Sequence, residues 1–407
     1  MSQEADSHKM SYGEFVALMA FMTSLAALSI DAMLPALAQI GADLGAVHAN
    51  DNQLIISVLF LGFAIGQIPY GPLSDSFGRK PAAYLGFFFV ILGFLISIFC
   101  TTFSTMLIGR FIQGMGLAAP RIISVALIRD QYKGDEMAKV MSFVMSVFIL
   151  IPTVAPAFGQ AILLIANWRM IFGCSLFLTL VILVWFRFRQ EETLNAQSRT
   201  PFSIRDIANN MIQICLNPIV LGYVVMSGLV FSGLLGYLNS VQQIFQVQYE
   251  LGTLFPLYFS ILALSIGGAS FINGKLVLKY GMRNMSSFAL IIVCVVSAVF
   301  FVISYYSEGH PSLWSLMLYL MIVLFCLGIL MGNLNSLAME PLGELAGIGA
   351  SVVGALSTFI SVPFGMLIGQ SYDNTVLPLI LGFAVSSVLA LFLMYRIHIR
   401  ELKGVLP

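Results

Sequence analysis

The stretch Gly71-Pro72-Leu73-Ser74-Asp75-Ser76-Phe77-Gly78-Arg79-Lys80 returns in outline as Gly274-Lys275-Leu276-Val277-Leu278-Lys279-Tyr280-Gly281-Met282-Arg283. Both read Gly-x-Leu-x-x-x-aromatic-Gly, with an arginine one or two residues later. Their offset, 274 − 71 = 203 residues, is half of the 407-residue chain. Each copy sits between the second and third long apolar run of its half. A motif repeated at the same place in two halves predicts a duplicated plan, and parallel six-helix repeats are a feature of membrane transporters. Repeat-built membrane enzymes exist, so the repeat alone leaves function open.

Composition supplies the environment. Hydrophobic residues make up 59% of the chain and charged residues 9%, against roughly 25% charged in a soluble domain. So little polar surface suits a bilayer and not water. A helix needs about 20 apolar residues to cross, and runs of that length centre near residues 26, 61, 90, 116, 150, 178, 230, 263, 293, 325, 358 and 385. The fold class expected is therefore an all-α integral membrane protein, with twelve transmembrane helices in two pseudo-symmetric six-helix bundles. Residues 1–190 form the first bundle, 191–210 a polar linker and 211–407 the second. The first apolar run is too long for a signal-peptide core and is expected to stay.

Positive charge orients the chain. With the N-terminus inside, sixteen of the nineteen basic residues fall in cytoplasmic segments, from Lys9 to Lys403, and only Arg169 falls outside. That bias predicts both termini in the cytoplasm. Net charge is zero, so no basic field invites nucleic acid. The five cysteines all lie in apolar runs without a C-x-x-C pair, which reads as small buried side chains and not as a metal site.

On these residues the chain resembles the major facilitator superfamily, whose loop between the second and third helices matches residues 71–80. Arg110-Phe-Ile-Gln113-Gly114-Met-Gly116 in the fourth span is similar to the buried-arginine motif of proton-coupled members. Pro152, Pro156 and Gly159 in the fifth span resemble the proline–glycine motif of antiporters, with Gln160 where a second glycine is often seen. Ser29-Ile-Asp31-Ala-Met-Leu-Pro35, Gly66-Gln67-Ile-Pro-Tyr70-Gly71 and Ile128-Arg129-Asp130-Gln-Tyr further resemble the bicyclomycin/chloramphenicol-resistance (Bcr/CflA-like) branch of drug–proton antiporters. The resemblance implies a multi-pass protein of the bacterial inner membrane, exchanging protons for a small amphipathic substrate by alternating access. It needs no cofactor beyond the proton gradient, and nothing demands more than a monomer. A proton symporter importing a metabolite on the same fold is the alternative.

An ionisable group at membrane depth costs at least ~2.5 kcal/mol and is a functional candidate by default. Of nineteen acids only Asp31 lies well inside a span, and only Arg110 and Arg121 are basic residues there. At 1.5 Å per residue, Asp31 and Arg110 share a depth, roughly 7–9 Å outside their helix centres. Arg110 and Arg121, eleven residues apart, share a helix face. Apolar surroundings favour a protonated carboxyl and a nearby guanidinium favours an ionised one, so a changing Asp31–Arg110 distance would switch proton affinity. The competing reading is a permanent ion pair that fastens the first span to the fourth. Arg121 either binds substrate or pairs with Asp31 in another state.

In the 71–80 loop, Gly71 and Gly78 permit tight turns and close backbone approach, and Arg79 and Lys80 hold the loop at the anionic inner surface. The family resemblance implies that Asp75 caps the eleventh span near Gly347–Ala350 and meets Arg129, latching the inner gate. A plain topogenic charge cluster is the alternative. Pro152, Pro156 and Gly159 bend or thin the fifth span for close packing. Asn239, Gln243, Asn333 and Asn335 are expected to face the substrate cavity, since amides are disfavoured against lipid.

Overall fold

The computed structural model describes residues 10–402, without the side chains of residues 198, 206, 210, 343–348 and 400–402. Lys9 and Lys403, counted in the charge bias, lie outside the described residues, as do the side chains of Arg400, Gly347 and Ile348. Among the described residues twelve helices are long and apolar enough to cross a membrane, and each of the twelve centres read from the sequence falls inside one. The chain is a multi-pass, all-helical membrane protein.

The first crossing is broken. Helix α1 (Tyr12–Asp31) stops, a 3-10 turn (Leu34–Ala36) follows, and α2 (Leu37–Leu44) completes the span. Pro35 is the cause: it has no N–H to give, and its ring would collide with the carbonyl four residues earlier, which belongs to Asp31. The remaining spans of the first half are α3 (Leu54–Phe77), α4 (Arg79–Phe99), α5 (Phe103–Gln131), α6 (Gly134–Leu163) and α7 (Arg169–Arg189). A further helix, α8 (Ile204–Leu216), begins within the polar connection and leads to the second half. There follow α9 (Pro218–Gln242), α10 (Phe255–Tyr280), α11 (Met282–Tyr306), α12 (Leu313–Met339), α13 (Ala346–Gln370) and α14 (Leu377–Leu402).

Within the first half α5 packs between α3 and α4, and within the second α9 packs against α13, α14 and α12. Among the described residues the halves pack most extensively through two helix pairs, α3 with α13 and α6 with α10. In span numbers these are 2 with 11 and 5 with 8. A two-fold repeat requires that reciprocity: if span 2 touches 5 + 6, then 2 + 6 touches span 5. Hydrogen bonds join α6 to α10 at Thr153, whose carbonyl accepts from the Ser260 hydroxyl at 2.5 Å. Nearer the end that carries the 71–80 loop, Gly268 and Gly274 of α10 and Gly332 of α12 have open space beside them. Among the described residues α5 packs extensively on neither α10 nor α12, and the exposed Arg121 of α5 with the exposed Asn335 and Ser336 of α12 marks a polar cleft between them toward that end.

Candidate functional site

Asp31 sits at the break of the first span, only 5% exposed, and no cation pairs with it among the described residues. From the second half, Tyr237 of α9 lies within electrostatic reach of it. The Tyr237 hydroxyl is buried, with no hydrogen-bond partner among the described residues. From the first half, Gly159 of α6 packs on the Ala32 carbonyl so closely that a β-carbon would overlap it. The proline–glycine stretch therefore does more than pack: it seats the fifth span on the residue that follows Asp31. Pro156 is buried beside it, Pro152 half-buried, and α6 stays continuous through both.

The expected Asp31–Arg110 pair is not formed. Arg110 is completely buried and gives its protons elsewhere: to the Ser29 carbonyl at 3.1 Å, the Ile55 carbonyl at 3.4 Å and Gln113 Oε1 at 2.7 Å, with its charge 5.6 Å from the Phe172 ring centre. Asp31 and Arg110 do lie at a similar depth, but their side chains do not face each other. Ser29 meets Arg110, and a residue two places further along a helix points about 200° away. Arg110 thus fastens α1 and α3 to α5 through carbonyl oxygens.

At the loop end the hub is Arg79, 8% exposed and not a lipid-surface anchor. Its guanidinium donates to Asp75 at 2.5 Å, to Ser74 at 2.9 Å and to both carboxylate oxygens of Asp130, at 2.9 and 3.2 Å. The expected Asp75–Arg129 contact is replaced: Asp75 and Asp130 both serve Arg79, while Arg129 is exposed with no ion pair among the described residues. Neighbours on a helix point about 100° apart, and a buried guanidinium requires the acid, not its basic neighbour. The proposed cap by Asp75 near Gly347 falls on side chains outside the described residues. Lys80 also turns inward, donating to the Arg187 and Gln190 carbonyls.

Glu192, from the polar connection, completes the hub. Its carboxylate accepts from the backbone N–H groups of Arg79 and Lys80, both at 2.9 Å, and so caps the start of α4. Gly78 makes room for it: its φ of 110° is unsuited to other L-residues, and a β-carbon there would press on Glu192 Oε2. Gly71, by contrast, is inside α3, where it lets the helix approach Ser351 of α13. The Thr193 hydroxyl adds a bond to Asp130 and the Thr200 N–H one to the Asp75 carbonyl.

At the opposite end the two halves are joined by uncharged groups. Asn50 donates to the Gln370 and Tyr372 carbonyls at 3.0 and 2.8 Å and receives from Gln243 at 2.9 Å, while Gln370 donates to the Asn50 carbonyl at 2.7 Å. Gln53 bonds to Gln243, and Asn239 donates to the Ser57 hydroxyl at 3.0 Å. Asn239 and Gln243, expected in the substrate cavity, are instead buried parts of this closure. Amides are disfavoured against lipid, but the seam between bundles satisfies them as well as a cavity does. Asn333 is buried in a reciprocal pair with Asn273, at 2.8 and 3.1 Å. Of the four amides named from sequence only Asn335 is exposed. Arg121 is exposed as well, its charge over the Phe63 ring at 5.9 Å.

Sequence reasoning passed over Glu192, Asp130, Asn50, Gln53, Gln370 and Tyr237. Asp130 stood in a quoted motif beside Arg129, but the others carry no local signal, because their partners lie more than a hundred residues away or in the other half.

The sequence profile of the Major Facilitator Superfamily matches residues 19–369. The bicyclomycin resistance protein homolog of Haemophilus influenzae is 28% identical over 399 residues, covering 96% of this chain and 97% of that protein. Multidrug resistance protein MdtL of Escherichia coli O157:H7 is 25% identical over 370 residues, covering 88% and 90%. Among solved structures, a D-xylose–proton symporter superposes with a TM-score of 0.69 over 94% of this chain and 96% of its own; at 16% identity the likeness is one of fold.

Proposed function

The chain belongs to the major facilitator superfamily, and from that premise we propose that it exports small amphipathic compounds in exchange for protons, by alternating access in the bacterial inner membrane. Its loop end and both termini face the cytoplasm, and the cleft described above is then the inward-facing state. The relatives named for bicyclomycin and multidrug resistance support export.

One observation carries the coupling: Asp31 is a buried carboxyl at a helix break, paired with no cation among the described residues and with Tyr237 of the other half within electrostatic reach. A bare carboxylate in such a place is costly. It is relieved either by a proton or by opening to water, and rocking of the halves exchanges the two. Substrate and proton compete because both act on the same opening. Arg110 is a positioning residue that holds the α1 backbone in place. The proton gradient is the only driving cofactor in this reading, and one copy of the chain suffices.

The test is efflux from cells of an efflux-deficient bacterium, and exchange in vesicles, under an imposed acid-outside gradient. Export against its own concentration gradient is expected for the native chain. Asp31→Asn should reduce it to the level of cells lacking the protein, while Asp31→Glu keeps a part. Gradient-driven export that survives Asp31→Asn would sink the assignment, and uptake driven by the same gradient would reverse its direction.

A further inference from the structure

Arg121 is the charge in the spans that the mechanism leaves unused. It stands 131 − 121 = 10 residues before the end of α5, ~15 Å at 1.5 Å per residue, well within a hydrocarbon layer about 30 Å thick. Arg110, on the same helix, is enclosed and satisfied by carbonyl oxygens; Arg121 is exposed and makes no hydrogen bond or ion pair among the described residues. Its acidic candidates in the first half are committed elsewhere: Asp75 and Asp130 to Arg79, Glu14 to Arg189. Asp31 is buried at the helix break, outside any ion pair among the described residues. In the second half, Asp and Glu are missing from the interiors of α9 to α14, and Glu340 lies beyond the end of α12. The helices facing α5 across the cleft offer amides and hydroxyls, with Asn335 and Ser336 exposed on α12 and Asn273 half-buried on α10.

Among the described residues the positive charge of Arg121 is thus uncompensated at membrane depth, which is expensive unless something brought in from solution balances it. Its geometry selects what that is. The guanidinium carbon stands 5.9 Å from the Phe63 ring centre, and with no hydrogen bond made among the described residues its N–H groups are available to grip a carboxylate through two parallel hydrogen bonds. Phe63 supplies apolar surface next to it. We infer that Arg121 is the binding residue for an anionic head group, and that the exported compounds are amphipaths carrying a carboxylate beside an aromatic or apolar body. This rests on the reading of the chain as an exporter and narrows its substrate class.

Equilibrium binding of three probes of one shape tests it, using the full-length protein in lipid nanodiscs at neutral pH: 1-naphthylacetate, 1-naphthylacetamide and 1-naphthylmethylamine, followed by naphthyl fluorescence. The carboxylate should bind at least tenfold more tightly than the amide, with the ammonium weakest. Arg121→Gln should remove that tenfold difference, and Arg121→Lys should restore part of it as a point charge without the bidentate fork. A melting temperature in nanodiscs equal to that of the native chain reports that the variants are folded. Equal binding of the three probes, a preference for the ammonium, no binding of the carboxylate, or a carboxylate preference that persists in Arg121→Gln each overturns the assignment. The Asp31→Asn efflux test does not depend on probe charge, so failure here leaves the coupling reading standing, and failure there leaves a binding result that still stands or falls by itself.

Discussion

At Gly159 the difference between hydrogen and methyl decides whether the fifth span can sit on the Ala32 carbonyl. Overpacking a core position costs typically 1–3 kcal/mol, and the clash here is with backbone, which cannot rotate away. Gly159→Val is expected to lower the melting temperature in detergent and to cut transport by more than the stability loss explains, because it displaces the turn after Asp31. Gly173, which has open space beside it, is the control: Gly173→Ala should leave both unchanged. Arg110 makes a different prediction. Its three acceptors are one side-chain amide and two carbonyls, so Arg110→Met buries unsatisfied oxygens, at a cost of ~1–3 kcal/mol for each one fully orphaned. Purified Arg110→Met should unfold at lower temperature, and equal stability would show that the carbonyl contacts are expendable.

Among elements, the loop between α3 and α4 is where charge placement is most specific. The hub on Arg79 needs acids at 75 and 130 and a capping carboxylate at 192, whereas Arg129 on the neighbouring face contributes no ion pair among the described residues. Asp130→Asn is expected to reduce export strongly and Arg129→Gln to leave it near the native rate, a contrast read in one efflux assay. Glu192→Ala removes an N-cap, worth about 1 kcal/mol, and should in addition loosen the connection between the halves, seen as faster proteolysis between residues 190 and 203. The broken first span belongs to this scale too. Pro35→Ala restores the missing N–H to the carbonyl of Asp31 and should extend α1, at the expense of the turn on which Gly159 sits.

For the whole molecule, the closed end is a seam of neutral amides: Asn50, Gln53, Gln243 and Gln370 with Ser57 and Asn239. None of these titrates near neutral pH, so the seam holds equally at either end of a pH gradient and leaves the proton response to Asp31. Each hydrogen bond is worth ~0.5–1.5 kcal/mol net, enough that losing two or three shifts a balanced equilibrium by one to two orders of magnitude. Asn50→Ala combined with Gln370→Ala should therefore populate the state open at this end. Spin labels at Val47 and Glu308, both exposed there in opposite halves, would report it as a longer distance, in a chain whose five cysteines have been replaced. An unchanged distance distribution would mean that the apolar packing of α3 on α13 holds the closure alone.

Span count, the duplicated plan and the three charges inside the spans were all determined by the sequence alone, because each depends on composition, spacing or the cost of burying a charge in lipid, which are local quantities. Pro35 carried the break of the first span in the same local way and was legible, though it was not read as one. Which way each charge turns was decided only by the tertiary structure. A depth along a helix follows from residue number, but a facing direction follows from which neighbour arrives, so Asp31 and Arg110 share a level without a bond. Arg79 draws its acids from positions 75, 130 and, through its backbone, 192. Asn239 and Gln243, read as cavity lining, close the seam because the opposite half supplies partners 182 to 193 residues away. Arg121 stands apart from both sets: the sequence places a cation in the membrane, and only the absence of a partner around it, among the described residues, makes it a candidate to meet the cargo.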